Sequence, residues 1–354
     1  MLALAQIYAI LRNTLLETVR QPVYGLVLAL SAAMIALTPA TAAHVYSFRV
    51  TTDLERVAER MVADLGLATI LLAGLILGVF MSTGAVSREL DDRTAGTILV
   101  KNVSRSAFVL GKYLGVAVGI VCATLTGSMI TLLTVRAGAP VAAWERLDCG
   151  SVGAMILAAL VAVGTATWRN YSRGRAWIGS FNLTFMALVF AVFLVFSVID
   201  KEYQFILQPG YQPSASALIA ETNWSPTYDW QIARAACLTI QAVLVVASIA
   251  VTASTRLNTI GTSCVTGCFV LFGLTSDFTR DTLINLRWGA AVDAFAGVLY
   301  MIVPNLEKFW MSDALTREQP IPFEYLAATT GYAALYVIAM ILIACYLLQN
   351  RDVS

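Results

Sequence analysis

The chain has 354 residues, 58% of them hydrophobic and 13% charged, whereas charged residues make up about a quarter of an ordinary soluble domain. This excludes a soluble globular protein and marks a polytopic membrane protein. The net charge of +1 argues against a nucleic-acid partner, because phosphate recognition needs a basic face.

Residues 1–22 predict an amphipathic helix lying at the membrane interface. Ile7, Ile10, Leu11, Leu15 and Val19 recur at helical spacing, with Arg12, Glu17 and Arg20 between them. A mixed-charge segment precedes the first apolar run and no cleavage site follows it, so the start is expected to be mature sequence and not a secretory signal. Spans are predicted near 23–43, 66–86, 108–135, 150–168, 178–199, 234–253, 259–276 and 325–347, where apolar runs approach the ~20 residues that cross about 30 Å of hydrocarbon. Six spans plus a buried or re-entrant pair is the alternative to eight, because 150–168 is dominated by Gly and Ala and is barely long enough. Residues 288–303 are apolar but carry Asp293 and stop at Pro304, so they are assigned to a helix at the outer interface and not to a span.

The Lys and Arg distribution orients the chain. With the N-terminus inside, the short inner segments hold Arg12 and Arg20, then Arg88, Arg93, Lys101, Arg105 and Lys112, then Arg169, Arg173 and Arg175, then Arg256, and last Arg351. The outer segments near 44–65, 136–149, 200–233 and 277–324 carry most of the acids. Both termini come out cytoplasmic. The fold class expected is all-α, a single helical membrane domain over 1–354 with external loops at 200–233 and 277–324. The first of these, with Pro209, Pro213 and Pro226, is expected to form an ordered cap.

Signatures of chemistry fail in turn. Cys122, Cys149, Cys237, Cys264, Cys268 and Cys345 fall mostly in apolar runs, where a thiol behaves as a small hydrophobe. Cys264 and Cys268 are one helical turn apart, but nothing nearby completes a metal site. His44, the single histidine, follows Pro39 at the end of the first apolar run and is assigned to the interface. Gly111-Lys112 is not the end of a phosphate-binding loop, because Ser106 stands where that motif needs Gly and Tyr113 where it needs Ser or Thr. No H-E-x-x-H or G-x-S-x-G occurs. No catalytic, cofactor or metal residue is assigned. The span centres hold almost no ionisable groups, which a proton- or sodium-coupled carrier would keep there as a relay. If the protein transports something, the energy is expected to arrive from outside the membrane domain.

Residues 87–105 form a charged hinge between two long apolar runs. Val86, Leu90, Ile98 and Leu99 can form an apolar stripe, Gly96 allows a bend, and Ser104 is placed to cap the helix that enters the third span. A short helix at the tip of two spans can dock into a groove of a soluble partner. Composition alone equally allows a solvated loop that obeys the positive-inside rule.

Glu89, Thr94, Leu99, Lys101, Arg105, Gly111, Lys112 and Gly115 occur at the spacing E-x4-T-x4-L-x-K-x3-R-x5-G-K-x2-G. This resembles the signature segment of the permease subunits of type 2 ABC transporters, the ABC-2 family. Ile10 to Arg20 is similar to the family's N-terminal amphipathic helix, and Val303-Pro-Asn-Leu-Glu-Lys-Phe309 resembles its external P-N-L-x-x-F element, here Pro304, Asn305, Leu306 and Phe309. Ser254-Thr-Arg256 and the terminal Arg351-Asp352 also fit. One departure is Asn102-Val103, where the family commonly has a proline. The segments between 150 and 199 look additional to a six-span core.

The resemblance implies a permease in the bacterial inner membrane, an exporter in kind, with no nucleotide site or cofactor of its own. By the same resemblance it would pair with a second permease subunit, as a homo- or heterodimer, and be driven by two copies of an ABC ATPase. It further implies that 87–105 contains the coupling helix: Glu89 and Thr94 would stabilise the turn below the second span, and Leu99, Lys101, Arg105 and Lys112 would contact the ATPase or orient the segment. A non-transporting scaffold or sensor that recruits a cytoplasmic protein is the alternative.

Overall fold

The computed structural model describes residues 2–46, 53–91, 104–138, 148–200, 203–207, 228–285, 297, 300, 302–311, 314–315 and 319–349. In chain order the helices are α1 (Leu2–Arg20), α2 (Pro22–Tyr46), α3 (Asp53–Asp91), α4 (Arg105–Ala137), α5 (Cys149–Arg173), α6 (Trp177–Val198), α7 (Trp230–Ser254), α8 (Thr259–Leu274), α9 (Ser276–Asn285) and α10 (Phe323–Gln349). A 3-10 turn covers Glu307–Phe309. Among the described residues the one strand-like pairing is an isolated antiparallel bridge between Ile199 and Phe205.

Helices α2, α3, α4, α5, α6, α7 and α10 are each long and apolar enough to cross a membrane, and the chain is an all-α, multi-pass membrane protein. Helix α5, with 25 residues, is longer than the 150–168 run and is long enough to cross. The 16 residues of α8 reach only about 24 Å at 1.5 Å per residue. The chain then turns by 71° into Ser276–Thr282, so the segment expected to be a straight span over 259–276 is instead a short helix followed by a sharp bend.

Close packing sets the helix directions. Along α4, a side-chain carbon on Gly111 would lie 2.8 Å from Ile10 Cβ, on Gly115 2.6 Å from Thr14 Cβ, and on Gly119 2.9 Å from Thr18 Cγ2. Three successive turns of α1 therefore lie against three successive turns of α4, running the same way. The two backbones can approach this closely only because the α4 face is glycine. The expected amphipathic helix is present, with Thr14 and Thr18 buried and Arg12, Glu17 and Arg20 exposed. Its apolar side faces α4, and it follows that helix lengthwise.

Helix α3 runs against α4, with Gly66 beside Thr131 and Gly74 beside Thr124. It runs with α7, where Gly74 meets Val243 and Gly78 meets Ala247. Helices α4 and α7 are the most enclosed, while α5, α6 and α10 bury one side only. The chain ends meet at one end of the bundle, since Ile7 and Ile10 sit beside Gly111 and Arg105 donates to the carbonyls of Leu348 and Gln349 at 2.8 Å each.

Helix α2 continues through Pro39 to Tyr46, beyond the end expected from the sequence. Proline removes the N–H that would bond Ile35 O, and the Thr38 hydroxyl donates to that same carbonyl at 2.7 Å. A hydroxyl beside the proline thus replaces the missing donor.

Candidate functional site

The bundle end that carries both chain ends is closed by side chains at the two ends of the expected coupling segment. Helix α3 extends through Glu89 to Asp91, so the first part of that segment continues the second apolar helix. At the segment's first residue, the buried Ser87 hydroxyl donates to Leu257 O at 2.9 Å and Ser254 O at 3.3 Å, which ties α3 to the turn after α7. On the other flank Ser104 caps α4 as its position predicts, its hydroxyl accepting from Ala107 N at 3.2 Å. Arg105 then binds the last carbonyls of α10, where a helix C-terminus favours a cation.

Four helices therefore converge around the two roots of residues 92–103. Thr94, Leu99 and Lys101, with the apolar stripe at Ile98, lie outside the described residues. Lys112 is not on this surface. It is 2% exposed, with its ammonium 5.7 Å from the Phe108 ring centre, because α1 and the bundle cover that turn of α4. Gly111 and Gly115, read as part of the same signature, make the α1–α4 contact.

Away from that end, the Pro304–Phe309 element is inserted into the bundle. Asn305, Leu306 and Phe309 are 3%, 2% and 1% exposed. Leu306 N donates to Gly273 O at 2.9 Å, and a side-chain carbon on Gly273 would come 2.8 Å from Pro304 O. Leu306, Phe309 and Trp310 line an apolar crevice with Leu71 and Leu75 of α3 and Thr239 and Ala242 of α7. Asn305 Nδ2 donates to Asp277 Oδ1 at 2.9 Å, and Tyr300 donates to the same oxygen at 3.0 Å. The Tyr332 hydroxyl accepts from Asn305 N at 3.0 Å. Asn305 thus pins the returning chain to the first turn after the α8 break. Residues 286–296, most of the expected interfacial helix, lie outside the described residues.

A second polar centre, which sequence reasoning missed, lies where α4 ends. Arg136 is 3% exposed. Its Nε donates to Asp148 Oδ2 at 2.9 Å, and its terminal nitrogens donate to the carbonyls of Phe196 and Ile199 at 2.7 Å and of Asp200 at 3.0 Å. Asp148 caps α5 by accepting from Ser151 N, and it also accepts from the Tyr203 hydroxyl. The cluster clamps both ends of the α5–α6 hairpin to α4. Burial alone disfavours the charged form of Asp148, but the bonds from Tyr203 and Arg136 outweigh it and hold the carboxyl below its ordinary value. The Tyr203 hydroxyl is pushed up, chiefly by its bond to Asp148. The signal in the sequence was slight: an arginine closing one apolar run and an aspartate opening the next.

Among the described residues no three His, Cys, Asp or Glu side chains come together as a metal site. No family model matches the chain, and no curated protein is similar to it.

Proposed function

We propose that the chain is the membrane-spanning permease subunit of a type 2 ABC exporter, moving its substrate between two permease subunits while a separate pair of ATPase subunits supplies the energy. The observation that carries this reading is the E-x4-T-x4-L-x-K-x3-R spacing over 89–105. Its two roots lie at the bundle end where both chain ends meet, braced by Ser87 and Arg105. A coupling helix must push on several helices at once, and a segment rooted among α3, α4, α7 and α10 is placed to do so.

In this reading that end is cytoplasmic, the membrane is the inner membrane of a bacterium, and the chain crosses it eight times, once through the broken α8 passage. Glu89, Thr94, Leu99, Lys101 and Arg105 hold or contact the ATPase, and Lys112 acts from within the bundle. The chain itself binds no nucleotide and catalyses no reaction.

Leu99→Asp is expected to leave expression near wild type and to abolish co-purification of the ATPase, because a charge would be desolvated in an apolar contact. Wild-type co-purification together with wild-type stimulation of ATP hydrolysis would place coupling elsewhere. The orientation has its own check. In a background lacking the six native cysteines, a cysteine at Ser172 should resist a membrane-impermeant label in intact cells and react after lysis. Labelling in intact cells would invert the topology.

A further inference from the structure

We propose that the tip of the α5–α6 hairpin is a binding site for anionic phospholipid headgroups. The tip carries Arg169, Arg173 and Arg175 together with Trp168, Tyr171 and Trp177. Trp168 and Tyr171 are 70% and 89% exposed, and Arg173 and Arg175 are exposed as well. No Asp or Glu occurs between Asp148 and Asp200, so the hairpin supplies no acid of its own to pair with these arginines. Arg169 and Arg173 also favour the C-terminal end of the α5 dipole, but Arg175 lies beyond that helix, and the dipole does not account for it.

The tip is held in shape. Gly174 adopts φ +61°, which a side chain would strain. Its N–H bonds Asn170 O at 3.0 Å, and Arg175 N bonds Arg169 O at 3.4 Å. The Asn170 side chain donates to Arg175 O at 2.9 Å, and the Trp177 indole donates to Thr167 Oγ1 at 3.2 Å. The cations are therefore presented on an ordered turn, and binding does not first have to order a loop.

The depth of the tip selects a lipid over a soluble protein. Arg136 fixes Phe196 and Ile199 beside the end of α4, and Asn182 Nδ2 donates to Val19 O at 2.8 Å, one residue from the Thr18–Gly119 contact. This sets Trp177 alongside α4 near residue 117, so α4 runs on for about a dozen residues, ~18 Å, before it starts at Arg105. The tip is thus recessed from the bundle end, at the level where two long apolar helices finish. Headgroups lie at that level, and aromatic rings with arginines are the side chains that partition there.

The test uses the full-length protein in vesicles of phosphatidylcholine with increasing phosphatidylglycerol, reading lipid retention and the rise in unfolding temperature. Three arginines near a charged surface are expected to give the wild type a roughly hundredfold preference for phosphatidylglycerol at low ionic strength, falling as salt is added. Arg169→Gln, Arg173→Gln and Arg175→Gln combined should remove most of that preference, and the matching lysine variant should keep it. The unfolding temperature of the glutamine variant in phosphatidylcholine alone, near wild type, checks the fold. Wild-type preference in the glutamine variant would overturn the proposal. So would loss of ATPase co-purification with lipid preference intact, which would assign the tip to a protein contact. The outcome is independent of Leu99→Asp, which addresses a different surface.

Discussion

Arg136→Met should destabilise the protein by about 3–5 kcal/mol, the usual cost of removing one partner from a buried ion pair. The loss is large because the guanidinium serves several acceptors at once. Without it, the Asp148 carboxylate stays buried without its cation, and the carbonyls of Phe196, Ile199 and Asp200 lose their donor. Thermal unfolding of the purified protein would measure this. A change below about 1 kcal/mol would mean that the cluster relaxes into water and does not clamp the hairpin.

The same pair gives a sign for the pH dependence. Asp148 has a lowered carboxyl pKa in the folded protein, so its contribution is present above the unfolded value of about 3.9 and is lost as pH falls through the folded value. In Arg136→Met only the bonds from Tyr203 and Ser151 still act against burial, and protonation relieves part of the uncompensated charge. The stability gap between the two proteins should therefore narrow below about pH 4. A gap that widens on acidification would contradict this account.

Gly115→Leu is expected to separate α1 from α4. Even the first side-chain carbon would lie 2.6 Å from Thr14 Cβ and 2.9 Å from the backbone oxygen of Leu11. A backbone atom cannot rotate aside, so α1 itself must shift, at about 1–3 kcal/mol or more for overpacking. A cross-link reports the shift. A side-chain carbon at Gly119 would lie 3.6 Å from Thr18 Cβ, within the 3.5–4.5 Å that a disulfide needs. Cysteines at both positions should cross-link readily, and Gly115→Leu should reduce the yield severalfold. Unchanged cross-linking would show that α1 is held by other contacts. Because α1 also holds α6 through Val19 O and Asn182, its displacement should loosen the hairpin as well.

What could be read from the sequence follows interaction range. Hydropathy over ~20-residue windows set the membrane class and most spans, and a serine before an apolar run set the Ser104 cap, because these depend on neighbouring residues. Amphipathicity showed that one face of α1 is covered, but a periodic pattern does not say by which helix. Pro39 falls inside the span predicted over 23–43, and the donor that proline lacks is replaced by the hydroxyl of Thr38 next to it. That was legible in principle.

The rest depends on the tertiary structure. Arg136 reaches carbonyls 60 to 64 residues away, and Arg105 reaches one 243 residues away. Pro304–Phe309 has the composition of an exposed turn, yet it is buried because Gly273 leaves room for its backbone and Asp277 and Tyr332 satisfy Asn305. Thus the sequence by itself determined a helical, multi-pass membrane protein with an amphipathic first helix and a charged hinge. The tertiary structure decided that α1 lies along α4, that the helix after α7 is short and followed by a sharp bend, and that Lys112 and Arg136 are buried. A buried polar group is tolerated only where distant segments supply its partners, and those partners exist only once the chain has folded.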